Sequence, residues 1–575
     1  MNIAPGQPSD GYFNPQPGGG RETNFEIRPP VEGSLSRDTQ PTPERADANH
    51  VQKNSLNYIT ESVDDLSQSC YDIGVVALAQ GAQNQGCVQW LIEHHNADGT
   101  WGAPPQLSWY DTYVCTYAAG VALHRGGCDQ LAARALDQLP RIAAFGSERI
   151  PETLTFGGLV GALDRFCATH GWPVPSHTLK VRTIVAEEQI KWDRMLEWKG
   201  FYDPRLSIAG YSAEKVYLDE RIDLPRFLKA FQSVNGSISN SAAASAMFLL
   251  EAERRGLEPD SRMRRLNDYV KALDPYKRAV GYLDFASHFV TAWAIMYLSE
   301  LGQPSETVEA LHVIAHQIDD MYASLYDSDG LTLLCPVGLT TIPGDTDSTA
   351  CAIYSAVYAG RRIPNIDRLN AMFVPEGGYY QTFLFERDPS LSTNIHVAAL
   401  LAQYKSPLLN AVVDWLADRV VRHHDLICKW HVSAIYTIGE LARVMAHIDH
   451  PKSRELFLYA VEYLLDAQRE DGGWGTLGTT VEESGYAVLG LAAVYEHLIT
   501  AVLPDAGLEP AAEVMLRRIY QSLQHAEPIL FKEPFGLVPL WIGKSLYCVN
   551  PLVPVLREVS QQRIRRVQEL HVGLS

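Results

Sequence analysis

Two aspartates, Asp345 and Asp347, stand directly before a long helical pattern. Pro343 and Gly344 precede them, and small or apolar residues follow at helical spacing. Carboxylates at such a point usually cap the helix, because they accept hydrogen bonds from N–H groups that have no partner in the first turn. A divalent cation is the other chemistry open to them, but it would need more oxygen ligands nearby. The spacing alone therefore predicts capping carboxylates.

A second polar pair is formed by Ser392 and His396, which are four residues apart. Residues at this spacing share one face of a helix. Asn394 lies off that face. A lone histidine on a helix is most often a structural residue, so the pair alone does not establish a site.

The elements that must position these residues are helices. In residues 455–468, one face carries the apolar side chains Leu456, Phe457, Ala460, Val461, Leu464 and Leu465. Similar patterns recur from about Val51 to the end, and alternating runs long enough for a sheet are scarce. Residues 1–50 hold eight prolines and six glycines, a composition typical of disorder. The sequence predicts an all-α protein after a disordered tail.

One internal repeat is visible. The segments 94–102 and 468–475 share an acidic-Gly-x-Trp-Gly turn between two amphipathic stretches, and 232–246 is a degenerate relative. Asp-Gly makes a tight turn, and the tryptophan can pack over a neighbouring helix. Repeats so far apart favour two helical barrels over one solenoid.

Composition excludes several functions. The 48 basic and 68 acidic residues give a net charge of −20, and nucleic-acid binding needs a basic surface instead. Nine scattered cysteines without a Cys-x-x-Cys pair favour a reduced compartment and no cysteine-rich zinc module. We find no secretory signal and no apolar run of spanning length. We expect a cytoplasmic protein of two or three folded units without membrane insertion; whether it forms a homodimer stays open.

Eight segments, in order, resemble the class II terpene cyclases. Pro-Gly-Asp-Thr-Asp-Ser-Thr-Ala, from Pro343, is similar to the family's Asp-x-Asp-Asp-Thr-Ala signature, with Ser348 in place of the last aspartate. The other segments are 69–78, 98–102, 235–246, 386–396, 429–436, 471–475 and 541–547. The resemblance implies two (α/α) barrels, with a γ domain at 51–300, whose first helix could belong to the β domain, and a β domain at 301–575.

The resemblance also implies roles. Asp347 falls on the general acid that protonates an alkene, Asp345 on its neighbouring carboxylate, and Ser392 and His396 on the polar pair that orients the acid. An aspartate protonated at neutral pH needs its pKa raised by ~3 units, about 4 kcal/mol. Burial and a second carboxylate raise that pKa, whereas a helix start lowers it.

Further residues are implied at the substrate. Lys191 and Lys544 are candidates for holding a diphosphate. Trp430 and Tyr436, in the segment 429–436, are candidates for lining the cavity. A Mg²⁺ cofactor is expected at the diphosphate. Glu152 is the candidate for the family's metal-linked glutamate, and whether Thr155 stands at that glutamate's position stays open.

The leading hypothesis is a bacterial-type class II diterpene cyclase that converts geranylgeranyl diphosphate into a bicyclic diphosphate. The alternatives are a cyclase of farnesyl diphosphate that makes a drimane skeleton, or a non-catalytic α/α toroid that binds partners. Ser348 disfavours a squalene-type cyclase. An ionising class I enzyme is disfavoured because the Asp-Asp-x-x-Asp motif fails at Ala323.

Overall fold

The computed structural model describes residues 67–81, 85–145, 152, 155–281, 287–302, 315–325, 334–336, 343–361, 365–426, 428–502, 510–532 and 537–572. They belong to one compact unit, Asp47–Ser575. The predicted tail, residues 1–50, lies outside the described residues.

The all-α prediction is confirmed, because the described residues form twenty α-helices and almost no sheet. The first ten are α1 Cys70–Gln80, α2 Gly86–Glu93, α3 Pro105–Arg125, α4 Asp129–Ala143, α5 Phe156–Thr169, α6 Leu179–Glu197, α7 Leu224–Phe231, α8 Ala242–Arg254, α9 Ser261–Ala272 and α10 Ser287–Leu298. The others are α11 Ala315–Ala323, α12 Thr346–Tyr358, α13 Asp367–Asn370, α14 Leu391–Gln403, α15 Leu409–Ala417, α16 Ala434–Met445, α17 Pro451–Ala467, α18 Val481–Val502, α19 Pro510–Leu530 and α20 Leu552–Val572.

Besides two 3₁₀ turns, Ala213–Val216 and Ser299–Leu301, and a π-helical turn, Asp418–Arg422, the described residues form two short antiparallel hairpins. The first pairs β1 Phe373–Val374 with β2 Tyr379–Tyr380, and the second pairs β3 Trp541–Ile542 with β4 Leu546–Tyr547.

The buried side chains form two hydrophobic cores. The first core runs from Tyr71 to Val280 along the chain, and the second runs from Phe289 to Val567 with Tyr211 added. The predicted division into domains at residue 300 stays a prediction.

The hairpin β3–β4 contributes to both cores. Trp541 pairs with Tyr547, and both side chains lie in the second core. Ile542 pairs with Leu546, and both lie in the first. Successive side chains of a strand point to opposite faces. A hairpin of two-residue strands therefore packs against one core with each of its faces.

The two tryptophan turns of the repeat have the same local structure. The indole N–H of Trp101 donates to the carbonyl of Leu91 at 2.9 Å, and that of Trp474 donates to the carbonyl of Leu464 at 2.7 Å. Each carbonyl belongs to the last turn of the preceding helix, α2 or α17, where helical partners are missing. Each tryptophan therefore caps the helix before it.

The backbone of each turn is also tied to the helix that follows. The N–H of Trp101 donates to Thr116 Oγ1 and that of Trp474 to Ser484 Oγ, both at 3.0 Å. The degenerate turn repeats this contact at 2.8 Å, from the N–H of Ile238 to Ser245 Oγ. The three turns are one structural unit, in which the third has Ile238 at the tryptophan position.

Among the helices of the described residues, none combines the length and the apolar character that crossing a membrane requires.

Replacing Trp474 by phenylalanine should lower the free energy of unfolding by about 1–3 kcal/mol, because the ring is kept but the buried Leu464 carbonyl loses its donor. Urea unfolding followed by circular dichroism measures the change. Trp415→Phe is the matched control, since no hydrogen bond of the Trp415 indole appears in the described part of the chain. Equal losses for the two variants would contradict the capping role.

Candidate active site

Asp345 and Asp347 stand at the start of α12, as the sequence predicts. Asp345 is the N-cap, and its Oδ1 accepts a hydrogen bond from the backbone N–H of Ser348 at 2.7 Å. Asp347 lies in the first turn and is 6% exposed. Capping therefore occupies Asp345 and leaves the carboxyl group of Asp347 free for other contacts.

The carboxyl group of Asp347 contacts both members of the predicted polar pair. Ser392 and His396 are one turn apart on α14. His396 Nδ1 lies 2.6 Å from Asp347 Oδ1, and Ser392 Oγ donates to Asp347 Oδ2 over 3.4 Å. The contact of Asp347 with His396 is short enough for a charge-assisted hydrogen bond. Asn394 instead bonds the backbone of Tyr380.

The far side of the His396 ring is held by a buried ion-pair chain. Nε2 of His396 lies 3.2 Å from Glu440 Oε2, which accepts a 2.5 Å bond from Arg443. Arg443 in turn lies 2.9 Å from Glu300. The chain fixes the orientation of the imidazole, since each of its charges has a partner.

These contacts shift the ionisation of the site. Burial disfavours the imidazolium, yet Cys351 and Asp347 raise the pKa of His396 well above its usual range. Although burial opposes it, Arg443 and His396 lower the pKa of Glu440 to about 2. Burial and the charge of Asp347 raise the pKa of Asp345 to about 7. The carboxyl group of Asp345 can therefore gain or lose a proton near neutral pH.

An aromatic group lies against the acid. The ring of Trp293 stands edge-on to His396 at 5.4 Å, and its indole N–H donates to the hydroxyl of Tyr436 over 3.5 Å. Trp541 lies 5.2 Å from Tyr436, and His431 stacks on Tyr436 at 4.4 Å. Trp430 lies outside this aromatic group, and its ring packs against Phe383.

A charged cleft of about 390 Å³ lies where α6 of the first core faces the loop before α14. Its cationic lining residues are Lys191, Arg194 and Arg387, and its acidic ones are Glu152, Glu187, Glu188 and Glu386. Apolar residues such as Ile184 and Phe385 complete the lining. The cleft brings together two of the predicted residues, Lys191 and Glu152.

Comparison with known proteins finds named relatives that are similar over most of the chain. No family model matches the chain. The chain is 25% identical over 517 residues to a type B diterpene cyclase of Mycobacterium tuberculosis, covering 85% of this chain and 94% of that protein. It is 24% identical over 496 residues to a copalyl diphosphate synthase of Streptomyces cyslabdanicus, covering 80% of this chain and 84% of that protein. The resemblance to the class II terpene cyclases is confirmed over most of the chain.

These relatives are enzymes, so the prediction of an enzyme is confirmed, and a solved structure matches the fold. The solved structure of ent-copalyl diphosphate synthase from Streptomyces platensis has a TM-score of 0.67 at 20% identity and covers 91% of this chain and 100% of that one. The prediction of an (α/α) class II cyclase fold is confirmed.

Glu152 connects the two halves of the cleft in this cyclase. Its Oε1 lies 2.5 Å from Lys191 Nζ, and its Oε2 accepts the backbone N–H of Arg387 at 2.7 Å. The same Oε2 lies 3.3 Å from Lys429, a buried lysine that also lies 2.8 Å from Glu386. Burial opposes ionisation, but the two lysines lower the pKa of Glu152 to about 2.

The residues of the cleft do not fit a magnesium ion held by protein ligands. Both oxygens of Glu152 already face ammonium groups, Glu188 pairs with Lys215, and Glu187 pairs with Arg387. Thr155 stands at the N-cap position of α5 without a side-chain capping bond and offers no carboxylate. The Mg²⁺ cofactor stays a prediction.

Lys544 does not line the charged cleft. Its ammonium group is buried, 2.7 Å from Glu214 and 2.7 Å from Ser241 Oγ, and 4.4 Å from the ring of Tyr211. These contacts join the turn of the β3–β4 hairpin to the first core. A diphosphate role for Lys544 stays a prediction.

Sequence reasoning missed several residues of the site: Trp293, Lys429, Glu440 and Arg443. A signal existed for two of them. Glu440 and Arg443 are opposite charges three apart in an otherwise apolar helix, α16, and such buried charges need partners. Trp293 and Lys429 are brought to the site by contacts across the fold, which spacing does not reveal.

Asp345→Asn should remove a pH dependence of stability. The pKa of Asp345 is about 7 in the folded protein, above its ordinary value of 3.8. The protonated carboxyl group therefore stabilises the fold. This stabilisation is fully present below pH 3.8 and is lost as the pH rises through 7. Asparagine keeps the cap but does not titrate. Between pH 5 and 8, the wild type should lose about 2–3 kcal/mol more unfolding free energy than the variant. Urea unfolding at both pH values checks this, and identical changes would contradict the raised pKa.

Proposed function

We propose that the chain cyclises geranylgeranyl diphosphate by protonation, giving a bicyclic decalin diphosphate with the diphosphate group retained. The observation that carries the proposal is the buried contact of Asp347 with His396. The named relatives, a diterpene cyclase and a copalyl diphosphate synthase, support the C20 substrate class.

Asp347 is the general acid in this mechanism. Oδ1 is engaged by His396 at 2.6 Å, so the transferable proton sits on Oδ2, next to the hydroxyl of Ser392. The O–H bond breaks as a C–H bond forms at the terminal alkene, and the positive charge passes to the substituted carbon. An imidazolium at Oδ1 stabilises the aspartate anion that remains and so strengthens the acid.

The aromatic group around Trp293 and Tyr436 is suited to the cation that follows. Faces of desolvated aromatic rings stabilise a cation by ~2 kcal/mol or more without reacting with it. Trp293 touches both His396 and Tyr436, so the new charge forms beside these rings. A substrate-binding role for Trp430, whose ring packs against Phe383, stays a prediction.

The charged cleft is suited to the diphosphate. Lys191, Arg194 and Arg387 line it, and cationic side chains bind phosphate oxygens strongly. None of the residues that line the cleft contacts Asp347 within the described part of the chain. Acid and cleft therefore act on opposite ends of a linear substrate, and the leaving-group chemistry of a diphosphate is not used.

Asp347→Asn should abolish cyclisation without changing the fold, because the amide cannot donate an acidic proton. Farnesyl, geranylgeranyl and squalene substrates are each incubated with the enzyme, and the products are dephosphorylated and analysed by mass spectrometry. We expect a bicyclic C20 alcohol from the wild type and none from the variant.

The control for this experiment is Ser348→Ala, which changes the same helical turn but leaves the contact of Asp347 with His396 intact. Turnover by Asp347→Asn would refute the acid assignment. A product from farnesyl diphosphate alone would replace the C20 proposal by the C15 alternative, and a product from squalene alone would refute both.

Lys191→Met should raise the KM for the diphosphate substrate by about tenfold or more, since a charged hydrogen bond contributes about 1.5–3 kcal/mol. The kcat should change little, because the acid is untouched. Lys199→Met, an exposed lysine just beyond α6, is the matched control. A fall in kcat at constant KM would contradict a binding role, and a parallel assay with a chelator tests the magnesium prediction.

A further inference from the structure

The acid lies inside a cluster of three different metal-ligating side chains. Asp347 and Cys351 are four residues apart on α12, and His396 approaches them from α14. One ligand atom of each lies within 4.8 Å of the other two, and all three residues are buried. Among the described residues, this is the cluster whose geometry suits a metal ion.

The surroundings of His396 match those of a metal-bound histidine. Such a histidine almost always donates its second ring N–H to a carboxylate, which fixes the ring and makes it a better ligand. Here Nε2 faces Glu440 at 3.2 Å, while Nδ1 faces Asp347. Glu440 is itself anchored by Arg443. The outer support of a metal site is therefore already in place.

The sulfur atoms give the cluster a preference. The thiol of Cys351 lies 3.9 Å from the thioether of Met296. Thiol and imidazole ligands select zinc and cadmium, whereas magnesium prefers oxygen ligands alone. Zinc bonds of 2.0–2.3 Å at tetrahedral angles separate ligand atoms by roughly 3.3–3.8 Å. Side-chain movements of about 1 Å would bring the three atoms to that spacing.

A cavity of about 300 Å³ gives an ion access to the cluster. Cys351, His396 and Met296 line it, together with Glu300 and His447. Its lining residues differ entirely from those of the charged cleft. An ion in this cavity meets Cys351 and His396 and does not compete with a diphosphate in the charged cleft.

We propose that Asp347, Cys351 and His396 bind one thiophilic divalent cation, zinc or cadmium, which inhibits the enzyme by occupying its acid. The thiol proton, the carboxyl proton of Asp347 and the Nδ1 proton of His396 pass to water as the metal bonds form, and no electron is transferred. The inhibition rests on the proposed function, because it requires Asp347 to be the acid; the binding does not.

The binding test uses the full chain after removal of bound metals. Cadmium is titrated at constant pH, and the charge-transfer absorption of the cadmium–thiolate bond is recorded. We expect a band that saturates at one equivalent in the wild type and is lost in Cys351→Ser and Cys351→Ala. Cys167→Ser, which removes a buried thiol of the first core, is the matched control and should keep the band. A wild type without the band, or a band that survives both Cys351 variants, would overturn the site.

The inhibition test is separate. Zinc should halve the cyclisation rate of the wild type at a concentration at least tenfold lower than the one that halves the rate of Cys351→Ser, with each protein compared with its own rate without zinc. Equal inhibition of both proteins would overturn the proposal. If the band forms and cyclisation continues in the saturated enzyme, the binding site stands and the acid role of Asp347 falls. If no band forms and Asp347→Asn is inactive, the site falls and the proposed function stands.

Discussion

The contact between Asp347 and His396 is the constraint that organises the second half of this protein. A carboxyl group and an imidazole meet at 2.6 Å with almost no access to water. Burying such groups is unfavourable unless every charge has a partner. The chain of Glu440, Arg443 and Glu300 provides those partners, so helices α12, α14 and α16 and the 3₁₀ turn Ser299–Leu301 after α10 must pack in one arrangement.

The local structures around this contact each have a separate cause. Asp345 holds the start of α12 by capping, which leaves the next carboxylate of the motif in the first turn with its side chain free. The four-residue spacing on α14 brings hydroxyl and imidazole to one carboxyl group. At the other end of the site, Glu152 joins the loop before α14 to Lys191 and Lys429. Acid and cleft are thereby attached to the same loop and helix.

Much of this could be predicted from sequence, and the reasons for the rest are physical. The helices, the repeated turns and the positions of Asp345, Asp347, Ser392 and His396 follow from periodicity, spacing and the family resemblance, which are local signals. Trp293, Lys429 and the Glu300 end of the ion-pair chain are set by contacts between residues far apart in sequence. Lys544 shows the opposite limit, because a lysine in a family-like segment gave no sign that Glu214 and Ser241 surround it.

The β3–β4 hairpin has a consequence for how such chains can be recombined. Trp541 and Tyr547 complete one core, Ile542 and Leu546 complete the other, and Lys544 at the turn satisfies a carboxylate of the first half. A chimera that joined the front half of this chain to the back half of a relative would therefore pack its first core against the relative's residues in place of Ile542 and Leu546. Residues 541–547 have to travel with the front half, although they lie far from it in the gene.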